Sequence, residues 1–297
     1  MRREKKISAL SDKIFDIVNV VFAVTFFIIV LYPCIYVVSA SFSSPEALIS
    51  GQVWLFPVKF SLDGYKAVFA EKKVWMGYAN SIFYTVAGTA INVFLTAIAA
   101  YPLSRKDLVG RKGITAFFTF TMIFNAGMIP TYLAVKSFHL LDSRWALLLP
   151  GAINVYNLII TRTFFENTIS NELLESAQID GSSNFQFFCK ITLPLSKSVL
   201  AVITLFYAVA HWNNFFDSLL YINTPEKYPL QIYLREILTM NSTQDILANV
   251  VAEQNSLYMS ELLKYALIIV STVPLLIVYP FIQKNFVKGV MVGAVKG

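Results

Sequence analysis

Six apolar runs, each close to twenty residues, alternate with polar stretches along the chain, at about 17–38, 80–103, 114–135, 145–164, 194–216 and 262–282. A helix of about 20 residues rises roughly 30 Å, the thickness of a bilayer's hydrocarbon core. The pattern therefore predicts an all-α polytopic membrane protein with six transmembrane helices and both termini on one side. The polar stretches differ in kind. Those at 39–79 and 223–261 are long, and 136–144 is brief. Ser44-Pro45 and Asp63-Gly64 read as turn signals in the first of these.

The stretch 170–196, SNELLESAQIDGSSNFQFFCKITLPLS, mixes polar and apolar positions at helical spacing. It predicts two short amphipathic helices joined at Gly181, which supplies a residue tolerant of positive φ. Ser170 is placed to cap the first helix, with Glu172 in its positive first turn, and Leu173, Leu174, Ala177 and Ile179 to give it one apolar face. Ser182 or Ser183 is placed to cap a second helix carrying Phe185, Phe187 and Phe188. Leu193-Pro194 then opens the fifth run, where the missing proline N–H is harmless. The competing reading, on spacing alone, is an elbow that merely lies among lipid headgroups.

Composition agrees with the periodicity: 56% hydrophobic and 14% charged, against about 25% charged in soluble domains. Net charge is +6, yet Lys and Arg sit singly or in pairs beside the apolar runs, as orientation signals do, rather than in a nucleic-acid-binding cluster. Fifteen of the 24 basic residues fall at the N-terminus, in the loop after the second run, around the elbow and in the C-terminal tail. The positive-inside rule predicts that this side, with the elbow and both termini, is cytoplasmic. The expected layout is a cytoplasmic segment 1–13, a membrane domain 14–282 with its elbow at 168–193, and a tail 283–297. The first run is too long for a cleavable signal core and is expected to stay as a span. Cys34 and Cys189 form no disulfide framework or zinc set and are expected to be inert packing residues.

Glu175-Ser176-Ala177, three residues, Gly181, nine residues, Ile191, one residue and Leu193-Pro194 resemble the EAA motif of bacterial ABC importer permeases, departing at Ser176 where alanine is usual. With six runs, HWNNF (211–215) and the closing YPFIQKNFVKGVMVGAVKG, nearly the whole chain is similar to carbohydrate importer permeases, the group that contains the smaller permease subunit of the maltose transporter. The tail is most similar to the branch for oligosaccharides and uronate-containing sugars. The resemblance implies the type I importer permease fold in a bacterial cytoplasmic membrane. It also implies a homologous second permease, two ATPase subunits carrying ATP and Mg, and an extracytoplasmic binding protein that delivers a di- or oligosaccharide. Glu175, Ser176, Ala177, Gly181, Ile191, Leu193 and Pro194 would form the ATPase-docking loop, and the basic tail would also reach the ATPase.

No G-x-x-x-x-G-K-[ST] phosphate loop occurs in the sequence, so the chain is expected to bind no cofactor and catalyse no reaction. His139 and His211 lack carboxylate or cysteine neighbours at metal-ligand spacing. Polar residues within the runs are candidates for the sugar path, since an unpaired polar group is costly in hydrocarbon. They are Asn92, Asn125, Asn154, Asn157, Tyr207, His211 and Asn214, the last three expected on one helix face at i, i+4 and i+7. The competing reading of each is a hydrogen bond between packed helices. Two further alternatives are an importer for an amino acid, polyamine or phosphate, and a stand-alone membrane enzyme or receptor.

Overall fold

A computed structural model describes the backbone of residues 2–244 and 263–280, with side chains for 12–239 and 263–280. The sixth run is therefore described over 263–280, and much of the 223–261 loop and the tail 283–297 lie outside the described residues. All regular structure among these residues is helical. Contacts divide the chain into two units, 1–71 with 236–271, and 72–235 with 272–297.

The first unit begins with α1 (Arg2–Ser41), whose apolar stretch buries none of its residues within the chain. Its last turn joins a small core of Ala40, Ala47 and Val53, where Tyr36 meets Tyr265 edge to face at 5.9 Å. The two expected turns prove to be helix starts. Ser44 caps α2 (Pro45–Ile49), its Oγ accepting from the Ala47 N–H with Pro45 in the first turn, and Asp63 opens α3 (Asp63–Ala70). Serine followed by proline is as good a helix N-terminus as a turn, because neither the cap nor the first helical position needs an intrahelical N–H.

The second unit is built around α4 (Lys72–Ser104), the longest helix it contains. α4 buries Gly77, Ser81, Gly88, Thr89, Thr96, Ala97 and Ala100, small side chains that let neighbouring helices approach closely in a membrane. After it come α5 (Arg111–Ile123), α6 (Met128–Ser137), the single turn α7 (Trp145–Leu148) and α8 (Val155–Thr168). The elbow comprises α9 (Asn171–Ile179), α10 (Asn184–Phe187), a π turn (Phe188–Thr192) and α11 (Leu193–Leu195). α12 (Lys197–Asn213), α13 (Phe216–Tyr221) and α14 (Leu230–Gln244) follow, and α15 (Leu263–Pro280) closes the described chain.

Among the described residues, three apolar helices are long enough to cross a bilayer unbroken: Asp12–Ser41 within α1, α4 and α15. The third run is instead a pair, α5 and α6, bent by 115°, and the fifth is bent by 80° between Asn184–Leu195 and α12. The fourth run is interrupted between α7 and α8, where Pro150 and Gly151 stand in place of helix formers. Hydropathy registers total apolar content, so it does not resolve these breaks.

Among the described residues, apolar cores at two ends of the unit help hold it together. At the elbow end, Ala97, Ala100 and Leu103 of α4 pack with Leu158 and Phe165 of α8, Phe188 of the elbow and Val199 of α12. At the opposite end, Tyr84, Val135, Leu147, Leu148, Tyr221 and Ile222 pack together. There Asp142 ties two loops: its Oδ1 accepts from the Asn223 and Thr224 N–H groups (3.1 and 3.0 Å), its Oδ2 accepts from the Thr224 hydroxyl, and its carbonyl accepts from Lys227. The Thr224 hydroxyl and N–H, helped by Asn223 and Lys227, hold the Asp142 carboxyl far below the usual carboxylate range.

Candidate functional site

The elbow folds from local signals. Ser170 accepts from the Leu173 N–H at 3.3 Å and caps α9. Gly181 takes φ +79°, a conformation that strains other residues. Ser183 and Gln186 then form a capping box at 3.2 and 3.1 Å, closing two otherwise unpaired donors. The first helix is less one-sided than its spacing predicts: Ala177 is buried and Leu174 half-buried, whereas Ile179 is 87% exposed. Ile179 lies two residues beyond Ala177, about 200° round the helix, so the two face apart. Phe187 and Phe188 are buried while Phe185 is 72% exposed. Outward from the elbow stand Glu175, Ser176, Ile179 and Phe185. Ser176 needs no external partner, because its Oγ donates to the Glu172 carbonyl at 2.8 Å. Cys189 is exposed on the same elbow and Cys34 on α1, so neither packs within the chain.

The fifth run does not open at Leu193-Pro194. The helical rod continues through Leu195 and turns at Ser196 (φ −104°, ψ 16°), and α12 starts at Lys197. Pro194 has no N–H for the Lys190 carbonyl four residues back. The preceding turn has widened accordingly, the Leu193 N–H donating to Phe188 five residues earlier. Of the other motif positions, Ile191 and Leu193 are half-buried and Pro194 is exposed.

Arg105, which the sequence marks only as an orientation charge, clamps the elbow. Its Nη1 donates to Asn184 Oδ1 at 2.7 Å and to the Tyr101 hydroxyl at 3.1 Å, and its Nε and Nη2 pair with Asp107. Hydrogen bonding from Arg105 lowers the Asp107 carboxyl below its ordinary value. Nothing in the local sequence separates Arg105 from the other basic residues beside the apolar runs. Next to it, Glu166 of α8 accepts from both Arg111 and Arg162, and Arg162 Nε also donates to the Leu103 carbonyl.

The candidate path residues divide. The Tyr207 hydroxyl bonds Thr96 Oγ1 at 2.7 Å and accepts from the Asn154 N–H at 3.0 Å, all within the α4–α8–α12 packing. Asn154 caps α8, its side chain accepting from the Asn157 N–H, and Asn157 and Asn92 are buried. Asn92 donates to the Gly151 carbonyl at 3.3 Å. His211 lies against Gly88 with its Nε2 buried. This seam joins helices, as polar side chains in membranes commonly do. Asn214 does not share the face of Tyr207 and His211: α12 ends at Asn213, and Asn214 caps the next turn by accepting from the Asp217 N–H and donating to its carboxylate. Asn125 and Asn154 are exposed, Asn125 in the break between α5 and α6, where its Oδ1 accepts from the Gly127 N–H at 2.8 Å. Thr96 and Gly88 were missed. Their signal was the recurrence of small residues every third or fourth position along α4. No group of three or more His, Cys, Asp or Glu suited to a metal occurs among the described residues.

Broken apolar helices packed through small residues, with an amphipathic elbow at one end, define a helical membrane transport subunit. Comparison sharpens the class. No family model matches the chain. The polygalacturonan/rhamnogalacturonan transport system permease protein YtcP of Bacillus subtilis (strain 168) is 44% identical over 289 residues, 97% of this chain and 100% of that protein. Protein LplC of the same organism is 44% identical over 288 residues, 97% of this chain and 96% of that one. Among solved structures, one chain of a bacterial ABC transporter involved in the import of the acidic polysaccharide alginate superposes with a TM-score of 0.84 at 39% identity, covering 93% of this chain and 98% of that chain. The chain belongs to the permease family of carbohydrate ABC transport systems.

Proposed function

We propose that this permease carries an acidic, uronate-containing oligosaccharide and that its elbow couples transport to ATPase subunits. The substrate class rests on the relatives that act on polygalacturonan, rhamnogalacturonan and alginate. One observation carries the coupling reading: the elbow is held rigidly from inside by its caps, Ala177 and Phe187, yet presents Glu175, Ile179 and Phe185 outward. An apolar pair beside a carboxylate is suited to a cleft on another protein. With no phosphate loop in this sequence, ATP and Mg belong on that partner. The basic residues at the elbow end support a cytoplasmic elbow and termini. The uncovered length of α1 is suited to lipid or to a homologous second permease. An extracytoplasmic binding protein would deliver the sugar at the far end.

The test is copurification and transport. Expressed with its neighbours, the chain should bring down an ATPase, and Glu175→Ala with Gly181→Pro should weaken that association. Unchanged ATPase coupling in the double variant would falsify the docking reading. Uptake specific for an amino acid, polyamine or phosphate would refute the sugar assignment, and full activity without any ATPase would return the chain to a stand-alone role.

A further inference from the structure

Three of the residues first placed on the sugar path, Asn92, Asn157 and Tyr207, are buried in the helix packing, while Asn125 is exposed just beyond α5. α5 buries none of its residues. Beyond it, residues 124–127 are unwound and exposed. Open backbone at membrane depth is tolerated only against protein or water, not against lipid tails. The unwound segment 124–127 itself is therefore suited to protein or water rather than to lipid tails.

At the elbow end of the same helix lies a cavity of about 890 Å³, lined among others by Lys106, Arg111, Lys112, Thr115, Thr119 and Arg162. No acidic side chain lines it. Glu166 neutralises one of the two arginines it bridges, and neither Lys106 nor Lys112 has a carboxylate within ion-pair distance among the described residues. The cavity thus carries about three uncompensated positive charges and adjoins the positive end of a 13-residue helix. Lys112, Thr115 and Thr119 fall at i, i+3 and i+7, one strip of α5. Thr115 Oγ1 has no hydrogen-bond partner. Phe120, which also lines the cavity, stacks on Phe124 at 4.5 Å, next to Asn125. Cations, hydroxyls and an aromatic platform in sequence are what a carboxylated sugar needs: ion pairs for the carboxylate, hydrogen bonds for hydroxyls, and a flat apolar face for the ring.

We infer that this basic cavity is an exit site for the carboxylates of an acidic oligosaccharide, with Lys106 and Lys112 as its charge-selecting residues. The inference rests on the substrate class proposed above. An anionic phospholipid headgroup would satisfy the lysines, but its tails would leave the threonine strip and the open backbone of residues 124–127 without partners.

The test uses the whole complex, with its second permease, ATPase subunits and binding protein, in vesicles of zwitterionic lipid. Uptake of trigalacturonate is compared with uptake of its methyl-esterified form. Lys106→Gln with Lys112→Gln should lower the acidic-to-neutral uptake ratio about tenfold, the scale of two partly screened ion pairs. Lys106→Arg with Lys112→Arg should restore it, and Lys66→Gln, at an exposed lysine of α3, serves as control. An unchanged ratio in the Gln variant, with wild-type uptake of trigalacturonate intact, overturns the exit site alone. Wild-type transport of neither sugar, or of the ester only, overturns the substrate reading instead. A wild type that works only when anionic lipid is added, with Gln variants indifferent to that lipid, assigns the cavity to lipid and overturns the inference.

Discussion

Gly88→Ala probes the closest helix approach in the second unit. A Cβ at this position would sit 2.4, 2.5 and 2.8 Å from Nε2, Cε1 and Cδ2 of His211, whereas ordinary contact begins at 3.4 Å. The imidazole, or α12 with it, must therefore retreat by about 1 Å, and overpacking of this kind costs about 1–3 kcal/mol. Alanine at a helix interior is otherwise better than glycine by roughly 0.5–1 kcal/mol. The effect of Gly88→Ala should consequently change sign with its neighbour. In the native background it destabilises by about 1–2 kcal/mol, and in a His211→Ala background it stabilises by about 0.5 kcal/mol. The double variant should lie well above the sum of the singles, the mark of residues in direct contact. Equilibrium unfolding in mixed micelles of all four proteins measures this. If the substitution has the same effect with and without the imidazole, the α4–α12 contact is not the one described.

Ser176→Ala, which restores the residue usual in the motif, should leave transport unchanged and shift stability by less than about 0.5 kcal/mol in thermal melts, because the Ser176 hydroxyl is spent on its own helix. Tyr207→Phe removes one hydroxyl from two partners, Thr96 and the Asn154 N–H, and should cost about 1–2 kcal/mol in the same unfolding assay. Arg105→Ala frees α10 from the end of α4 and should lower sugar-stimulated ATPase turnover severalfold while the chain still copurifies with its partners. Loss of copurification instead would make Arg105 part of the docking surface. The Asp142 carboxyl titrates below its unfolded value of about 3.9, so its stabilisation is complete above about pH 5 and fades as pH falls below that. Wild-type melting temperature should drop between about pH 5 and pH 3 more than that of Asp142→Asn, and equal slopes would refute the loop tie.

Much of the elbow was legible because its folding is local. Ser170, Gly181 and Ser183 act on close neighbours in the chain, and a cap or a positive φ leaves its mark in the sequence itself. The apolar runs were legible for a similar reason, since hydrocarbon demands a length and a composition. What stayed hidden was set by distant partners. Arg105 resembles the other topogenic charges until the fold brings Asn184 to it. Tyr207 carries the chemistry of a sugar site, yet its hydroxyl is taken by Thr96 and the Asn154 N–H. The bend at Ser196 was not legible, because Pro194 marks a disturbance of the helix without fixing where the axis turns. The exposure of Asn125 became legible only with the break beside it.

The 80° turn at Ser196 makes the elbow and α12 the two arms of a crank. The arm from Asn184 to Leu195 is about 18 Å long, anchored toward its far end by Arg105 and by the buried Phe187 and Phe188. A load applied beside Gly181 reaches α12 mostly as torque rather than thrust. Through the Tyr207–Thr96 bond and the seat of His211 on Gly88, that torque is shared with α4. α5, which buries no side chain of its own, is held to α8 by the Arg111–Glu166 pair, so torque reaches the wall that carries the basic cavity through that ion pair.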